Sequence, residues 1–293
     1  MTNDVERAAI ALYDRFTHQG LDRRAFMAEL TRLAGGSAAA GLLLTSIAAQ
    51  AQATPQVAAN DARIRTREIE WEARPGRAYK AYNAAPAEGG GTVPLVVVVH
   101  ENRGLNDHIR DVTRRLAVAG YSAVAPDFLS PAGGTPADED QARTMIGALD
   151  MAETVADGVA IIQWLGAPAN GGRKVGIIGF CWGGAMVNRL AVAAGPALAA
   201  GVSFYGPAPD PSEAARVEAA LMIVLAGLDE RVNATGRPWA EALRTAGKRV
   251  ELREFPNVNH AFHNDTSAAR YDAGAAAQAW RGTLDFLRTH LDA

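Results

Sequence analysis

The chain has 293 residues, of which 48% are hydrophobic and 21% charged, and its formal net charge is −3. This composition excludes collagen-like, disordered and disulfide-stapled proteins, and without a basic excess there is no electrostatic footprint for nucleic acid. The single cysteine, Cys181, excludes an intramolecular disulfide and a Cys-rich zinc site, so its thiol packs, reacts or pairs with another molecule.

Residues 33–60 carry no charge. Within them Leu42, Leu43, Leu44 and Ile47 form a short apolar run, preceded by Arg23-Arg24 and Phe26 and followed by Ala49-Gln50-Ala51 and Ala51-Gln52-Ala53. Paired arginines, a mild apolar run and a small-residue cleavage pattern, in that order, resemble a twin-arginine export signal. Residues 1–53 are therefore expected to be a signal peptide engaged by export machinery. The mature chain, 54–293, is expected to be one domain in the periplasm. The alternative is a cytoplasmic protein in which residues 4–33 form an amphipathic helix leading into a linker. The run is too short and Gly-interrupted for a permanent transmembrane helix.

Residues 63–83 alternate in polarity on either side of Pro75-Gly76, which predicts an antiparallel hairpin. After the Gly-rich residues 85–92 comes Leu95-Val96-Val97-Val98-Val99, a continuous β-branched run of the kind buried on both faces of a sheet. Similar runs recur at 121–125, 175–178, 201–204, 221–225 and 250–253. Helical patterns separate most of them, at 109–119, 152–165, 185–194, 238–246 and 268–291. Strands alternating with helices predict an α/β fold with a mostly parallel central sheet, helices on both faces and an N-terminal antiparallel hairpin. The Pro- and Gly-rich residues 130–136 read as a surface loop.

Active sites of such sheets form beyond the carboxyl ends of the strands, and three of these ends carry reactive side chains. Gly179-Phe180-Cys181-Trp182-Gly183-Gly184 joins a strand to a helix in the nucleophile-elbow pattern Gly-x-nucleophile-x-Gly, with Cys in place of Ser. The glycines are steric: in so sharp a turn, Cβ atoms two residues either side of the nucleophile would collide. The other reading of Cys181 is a small core residue. Asp229, with Glu230 as its neighbouring alternative, stands after the run 221–225 as a candidate orienting acid, and equally as a helix cap. His260 and His263 follow the last strand, and either can serve as base. The order Cys181, Asp229, His260 is the nucleophile, acid, base order of α/β-hydrolases. A thiol needs a base to take its proton, the imidazole needs a carboxylate to hold its tautomer, and the tetrahedral intermediate needs N–H donors. One donor is expected from Trp182. The other is expected from the loop His100-Glu101-Asn102-Arg103-Gly104.

With these pieces in place the sequence resembles the dienelactone hydrolase family, within the α/β-hydrolase fold. The matching segments are Val96 through Asn106, Ala125-Pro126-Asp127, the Cys181 elbow, Phe204-Tyr205-Gly206, Ala226-Gly227-Leu228-Asp229 and His260-Ala261-Phe262. The resemblance implies Cys181 as nucleophile, His260 as base, Asp229 as orienter and Glu101 as a second carboxylate that meets the resting thiol. It implies an oxyanion hole from the amides of Trp182 and Asn102. The family's best-known members carry a substrate-clamping Arg four residues after the catalytic His, where this chain has Asn264; a second clamp corresponds to Arg143. Arg103 is the remaining candidate cation, and Tyr205 and Phe262 suggest an apolar or aromatic pocket beside Trp182.

The expected activity is cofactor-independent hydrolysis of a small-molecule ester or lactone through an acyl-cysteine. Alternatives are cleavage of a thioester or phosphotriester by the same triad, a non-catalytic binding protein on this scaffold, and a redox sensor, which would lack a resolving Cys. No metal site is expected, because His260 and His263 lack further ligands. His18, His108 and His290 read as solvated residues.

Overall fold

The computed structural model describes residues 3–18, 21–48, 55–89 and 93–292. It divides into two compact units, one of residues 1–54 with 258–277 and one of residues 55–257 with 278–293. The segment 258–277, which the sequence reading places inside a single domain of residues 54–293, falls in the first unit.

The larger unit is built on an eight-stranded sheet ordered β1-β2-β4-β3-β5-β6-β7-β8. β1 (Ile64–Arg74) and β2 (Arg77–Pro86) form the antiparallel hairpin, and β2 pairs antiparallel with β4 (Ser122–Pro126). From β4 onward all pairs are parallel, through β3 (Leu95–Val99), β5 (Val175–Phe180), β6 (Ala200–Phe204), β7 (Ala220–Ala226) and β8 (Val250–Phe255). The first unit contributes helices α1 to α3. Those that follow are α4 (Asp107–Val118), α5 (Glu139–Gly147), α6 (Met151–Gly166), α7 (Trp182–Ala193), α8 (Glu230–Thr245) and α9 (Ala273–Leu291), which runs from one unit into the other.

The β-branched strand runs do what their pattern predicts. All five residues of β3 are buried. Leu95, Val97 and Val99 on one face join Ile161, Ile162 and Leu165 of α6 and Met186, Val187 and Leu190 of α7 in one core. The opposite face of β5 has no side chain at Gly176, and Leu287 and Leu291 of α9 fill that space. Strand order reverses on either side of β3, between β4 and β5, which makes the carboxyl ends of β3 and β5 the switch point where such sheets place their sites.

Two buried carboxylates tie the hairpin to α6 and the segment around Val57 to α4. Asp157 on α6 is fully buried and accepts bonds from Arg74 Nε (2.6 Å), Tyr79 Oη (2.7 Å) and Arg77. Burial alone would raise its pKa, but the bonds from Arg77, Tyr79 and Arg74 outweigh it and hold the carboxyl below its usual range. Asp111 on α4 accepts the backbone N–H of Val57 (2.9 Å), while Arg114 Nε donates to the Val57 carbonyl (2.6 Å).

Two elements differ from the sequence expectation. α5 lies where no helix was expected, and α8 starts at Glu230 and carries Pro238 inside it. Pro238 is exposed, so the carbonyl it deprives of an N–H can turn to water.

The smaller unit holds α1 (Asn3–His18), α2 (Arg23–Ala34) and α3 (Ser37–Ala48) around Ile10, Leu12, Tyr13, Phe26, Leu30, Leu43 and Ile47. Asp22 caps α2 by accepting the N–H groups of Arg24 and Ala25, both at 2.9 Å, and Gly35 ends it in the left-handed conformation. Arg23 and Arg24 are exposed in its first turn. In the same unit Arg270 pairs with Asp14 (3.1 Å) and lies over the Tyr13 ring. Among the described residues no single helix is long and apolar enough to cross a membrane. The expected cleavage pattern at 49–53 lies outside the described residues, as does the side chain of His18.

Candidate active site

Cys181 stands between β5 and α7, as the residue that caps α7, at φ 56°, ψ −113°, a conformation an L-residue adopts only under constraint. The constraint is visible. Its N–H donates to the Phe204 carbonyl (3.0 Å), and its carbonyl accepts the Ala185 N–H (3.0 Å). A Cβ on Gly179 would lie 2.2 Å from the Gly183 carbonyl oxygen, and one on Gly183 would lie 2.4 Å from the Val99 carbonyl oxygen. The elbow therefore needs both glycines, and Gly183 brings α7 against the end of β3. The N–H groups of the first turn of α7, starting with Trp182, have no intrahelical acceptor, so a partly positive helix end adjoins Cys181.

Glu101, just beyond β3, is 5% exposed, which excludes a solvated loop acid. Tyr205, at the end of β6 with φ 38°, directs its hydroxyl to Glu101 Oε1 at 3.5 Å. Beside it His100 is fully buried with both ring nitrogens engaged. Nε2 accepts the Phe128 N–H (3.1 Å), so the proton sits on Nδ1, which donates to the Glu101 carbonyl (2.7 Å). Burial pushes its pKa below the ordinary value. His100 is thus a neutral brace under the Glu101–Asn102 loop, and its ring stacks on Trp182 at 5.3 Å and 13°.

Asp229 is buried at the end of β7, whereas its neighbour Glu230 is exposed. It is also the cap of α8: Oδ1 accepts the Val232 N–H (3.1 Å), and Oδ2 lies 4.0 Å from Arg231 Nη2. The two roles read from the sequence are thus compatible, because one carboxylate oxygen serves the cap.

His260, Phe262, His263 and Asn264 belong to the smaller unit, and all four are buried. Asn264 Oδ1 accepts both the N–H and the hydroxyl of Thr266, at 3.0 and 2.6 Å. The candidate cations sit in the larger unit, each beside an acid: Arg103 Nη1 is 2.9 Å from Glu139 Oε2, and Arg143 Nη1 is 3.3 Å from Asp140 Oδ1. His108, expected to be solvated, is instead 3% exposed, edge-on to Phe180, because the face of α4 that carries it packs on the sheet. His290, likewise expected to be solvated, is half-buried against Phe286.

Two supports have no role in the sequence reading, which quotes Asp127 only as part of a matching segment and expects no helix at α5. Asp127, at the end of β4, accepts the N–H (2.7 Å) and hydroxyl (2.8 Å) of Thr135, whose oxygen accepts the Leu105 N–H (2.9 Å). This ties the 130–136 loop to the loop after β3. The signal was there: an acid at a strand end, as for Glu101 and Asp229. The second support is α5, whose Ala142 and Ile146 form a small apolar cluster with Leu129, flanked by Met145, Leu149 and Trp182.

The profile of the dienelactone hydrolase family matches residues 79–291. A provisionally named carboxymethylenebutenolidase of Escherichia coli O157:H7 is 32% identical over 227 residues, 72% of this chain and 82% of that protein. One from Methylorubrum extorquens is 34% identical over 225 residues, 72% of this chain and 76% of that protein. The crystal structure of a provisionally named dienelactone hydrolase from Klebsiella pneumoniae superposes with a TM-score of 0.69 at 28% identity, covering 78% of this chain and 99% of the other.

Proposed function

Because this chain belongs to the dienelactone hydrolase family, whose members hydrolyse bonds of the lactone and ester type, we propose that it cleaves a small ester or lactone through an acyl-enzyme on Cys181. The observation that carries the reading is the elbow, which holds Cys181 at φ 56° against the start of α7. In this mechanism His260 takes the thiol proton with Asp229 as its orienting acid, and Glu101 helps ionise the resting thiol. The thiolate attacks the carbonyl carbon, and the oxyanion is met by the amides of Trp182 and Asn102. Collapse breaks the acyl C–O bond. The alkoxide leaves with the proton from His260, or, for a lactone, stays tethered to the acyl group. Water, deprotonated by His260, then cleaves the C–S bond and releases the carboxylic acid. A panel of activated esters and lactones tests the reading: turnover is expected, and no turnover of any of them would overturn it.

Substrate charge follows from the cations. Asn264 carries no charge, and Arg103 and Arg143 are already matched by Glu139 and Asp140. Loss of one charged clamp removes about 1.5–3 kcal/mol of binding to a substrate carboxylate. A methyl ester is therefore expected to exceed its free-carboxylate partner in kcat/KM by about tenfold or more. A preference for the carboxylate that disappears in Arg103→Ala or Arg143→Ala would reverse this assignment.

Export is the second part of the proposal. Arg23 and Arg24 are exposed at the start of α2, open to a receptor. With both replaced by Lys, the protein is expected to stay in the cytoplasm with residues 1–53 attached, while wild-type chain recovered from the periplasm begins shortly after Ala51 or Ala53. Unprocessed wild type held wholly in the cytoplasm of an export-competent host would refute it.

A further inference from the structure

The β1–β2 hairpin bears a cavity of about 480 Å³ that the hydrolytic chemistry does not use. Arg65 and Arg67, two residues apart on β1, share one face of the hairpin, and their cross-strand partners are Ala85 and Asn83. Ser122, where β4 begins, and Arg173, in the turn before β5, complete the polar wall, and Pro86 with Ala85 and Ala87 supplies an apolar one. None of the described lining residues is acidic.

The arginines here differ from their neighbours in charge balance. The neighbouring arginines of the hairpin are matched by acids: Arg63 by Asp61, and Arg74 and Arg77 by Asp157. Among the described residues Arg65 makes no ion pair, and Arg67 donates only to the neutral Asn83 Oδ1, at 3.3 Å. Arg173 is half-buried, and burial pulls its pKa below the ordinary value, so its guanidinium is already partly stripped of water. Three arginines lining one hollow, with no acid among its described lining residues, offer a donor set for an oxyanion. The volume is that of an organic molecule and exceeds what an inorganic ion needs.

We propose that this cavity is a binding site for a small organic anion, one phosphate or carboxylate group on a compact apolar body, held by Arg65, Arg67 and Arg173. It stands at the amino ends of β4 and β5, whereas Cys181 follows the carboxyl end of β5, six residues long. At ~3.3 Å per residue the strand alone separates the two places by ~17–20 Å. An anion bound here takes no part in acyl transfer, and the site stands whether or not the proposed hydrolysis does.

The test is calorimetric titration of the full chain with phenyl phosphate and, separately, with benzoate, at low and moderate salt. Saturable binding of at least one, weakening with salt, is expected. The double variant Arg65→Gln with Arg67→Gln changes only exposed side chains and so keeps the fold; it and Arg173→Gln are each expected to lose about tenfold or more in affinity. Cys181→Ala should bind as wild type does. The arm that binds tighter identifies phosphate or carboxylate as the preferred head group. No saturable binding of either anion, unchanged affinity in the double variant, or binding lost with Cys181→Ala would overturn the proposal.

Discussion

Cys181→Ala is expected to abolish ester and lactone hydrolysis, lowering kcat by several orders of magnitude while the protein keeps its fold. Removing the nucleophile removes the covalent route, and the remaining groups then support only the slow background that oriented donors give to water. The substitution is small for the structure: Cys181 is buried, but its turn is set by the backbone bonds to Phe204 and Ala185, which Ala can also make. Intact-mass measurement after rapid quenching should find an acyl adduct on the wild type that is absent from the variant. His260→Ala should lose turnover to a similar degree, since members of such a unit act together and their losses do not add. Cys181→Ser should also be poor, because a neutral hydroxyl needs a stronger base than a thiol. Near-normal turnover in Cys181→Ala, with melting temperature unchanged, would rule out the covalent mechanism.

Gly183→Ala is expected to damage both stability and catalysis, and it separates the elbow's geometry from its chemistry. The added methyl would meet the Val99 and His100 carbonyl oxygens at 2.4 and 2.6 Å. Both obstacles are backbone, so neither can swing aside as a long side chain would. Overpacking of a close-packed region costs about 1–3 kcal/mol, and this backbone-on-backbone case belongs at the upper end or beyond. Relief requires α7 to move away from β3. That displaces the Trp182 N–H, the proposed oxyanion donor, and loss of one such donor costs about 10²–10³ in kcat. Gly179→Ala should behave alike, for its Cβ would meet the Gly183 carbonyl. Measured by thermal melting and by kcat, a Gly183→Ala protein with wild-type values in both would contradict this account of the turn.

Much of the fold was legible because its determinants are local. The five-residue run Leu95–Val99 declares a two-faced strand without reference to any partner. The Cys181 elbow announces itself through its glycine spacing, but only the conflict that Gly179 avoids, with the Gly183 carbonyl, is local; Gly183 makes room for the distant backbone of Val99 and His100. The strand-end carboxylates Glu101 and Asp229 were found because the strands that carry them were. α5 was missed: its buried positions, Ala142 and Ile146, are too few for an apolar stripe. Its reason to be helical lies in the apolar cluster with Leu129, beside Trp182. His108 was misread because its position in a charged stretch says nothing of the face of α4 that turns inward.

By itself the sequence determined the alternation of strands and helices, the turn at Cys181 and the identity of the acids at the strand ends, which follow from hydrophobic period and local residue spacing. Only the tertiary structure decided what those side chains meet. It made His100 a neutral brace with both nitrogens bound, and it set Glu139 against Arg103. It joined Asp127 to the loop after β3 through Thr135, and it brought Arg65, Arg67 and Arg173 around one hollow. Protonation, charge balance and the filling of space depend on neighbours far away in the chain, and those neighbours are fixed only when the sheet has put its strands in order.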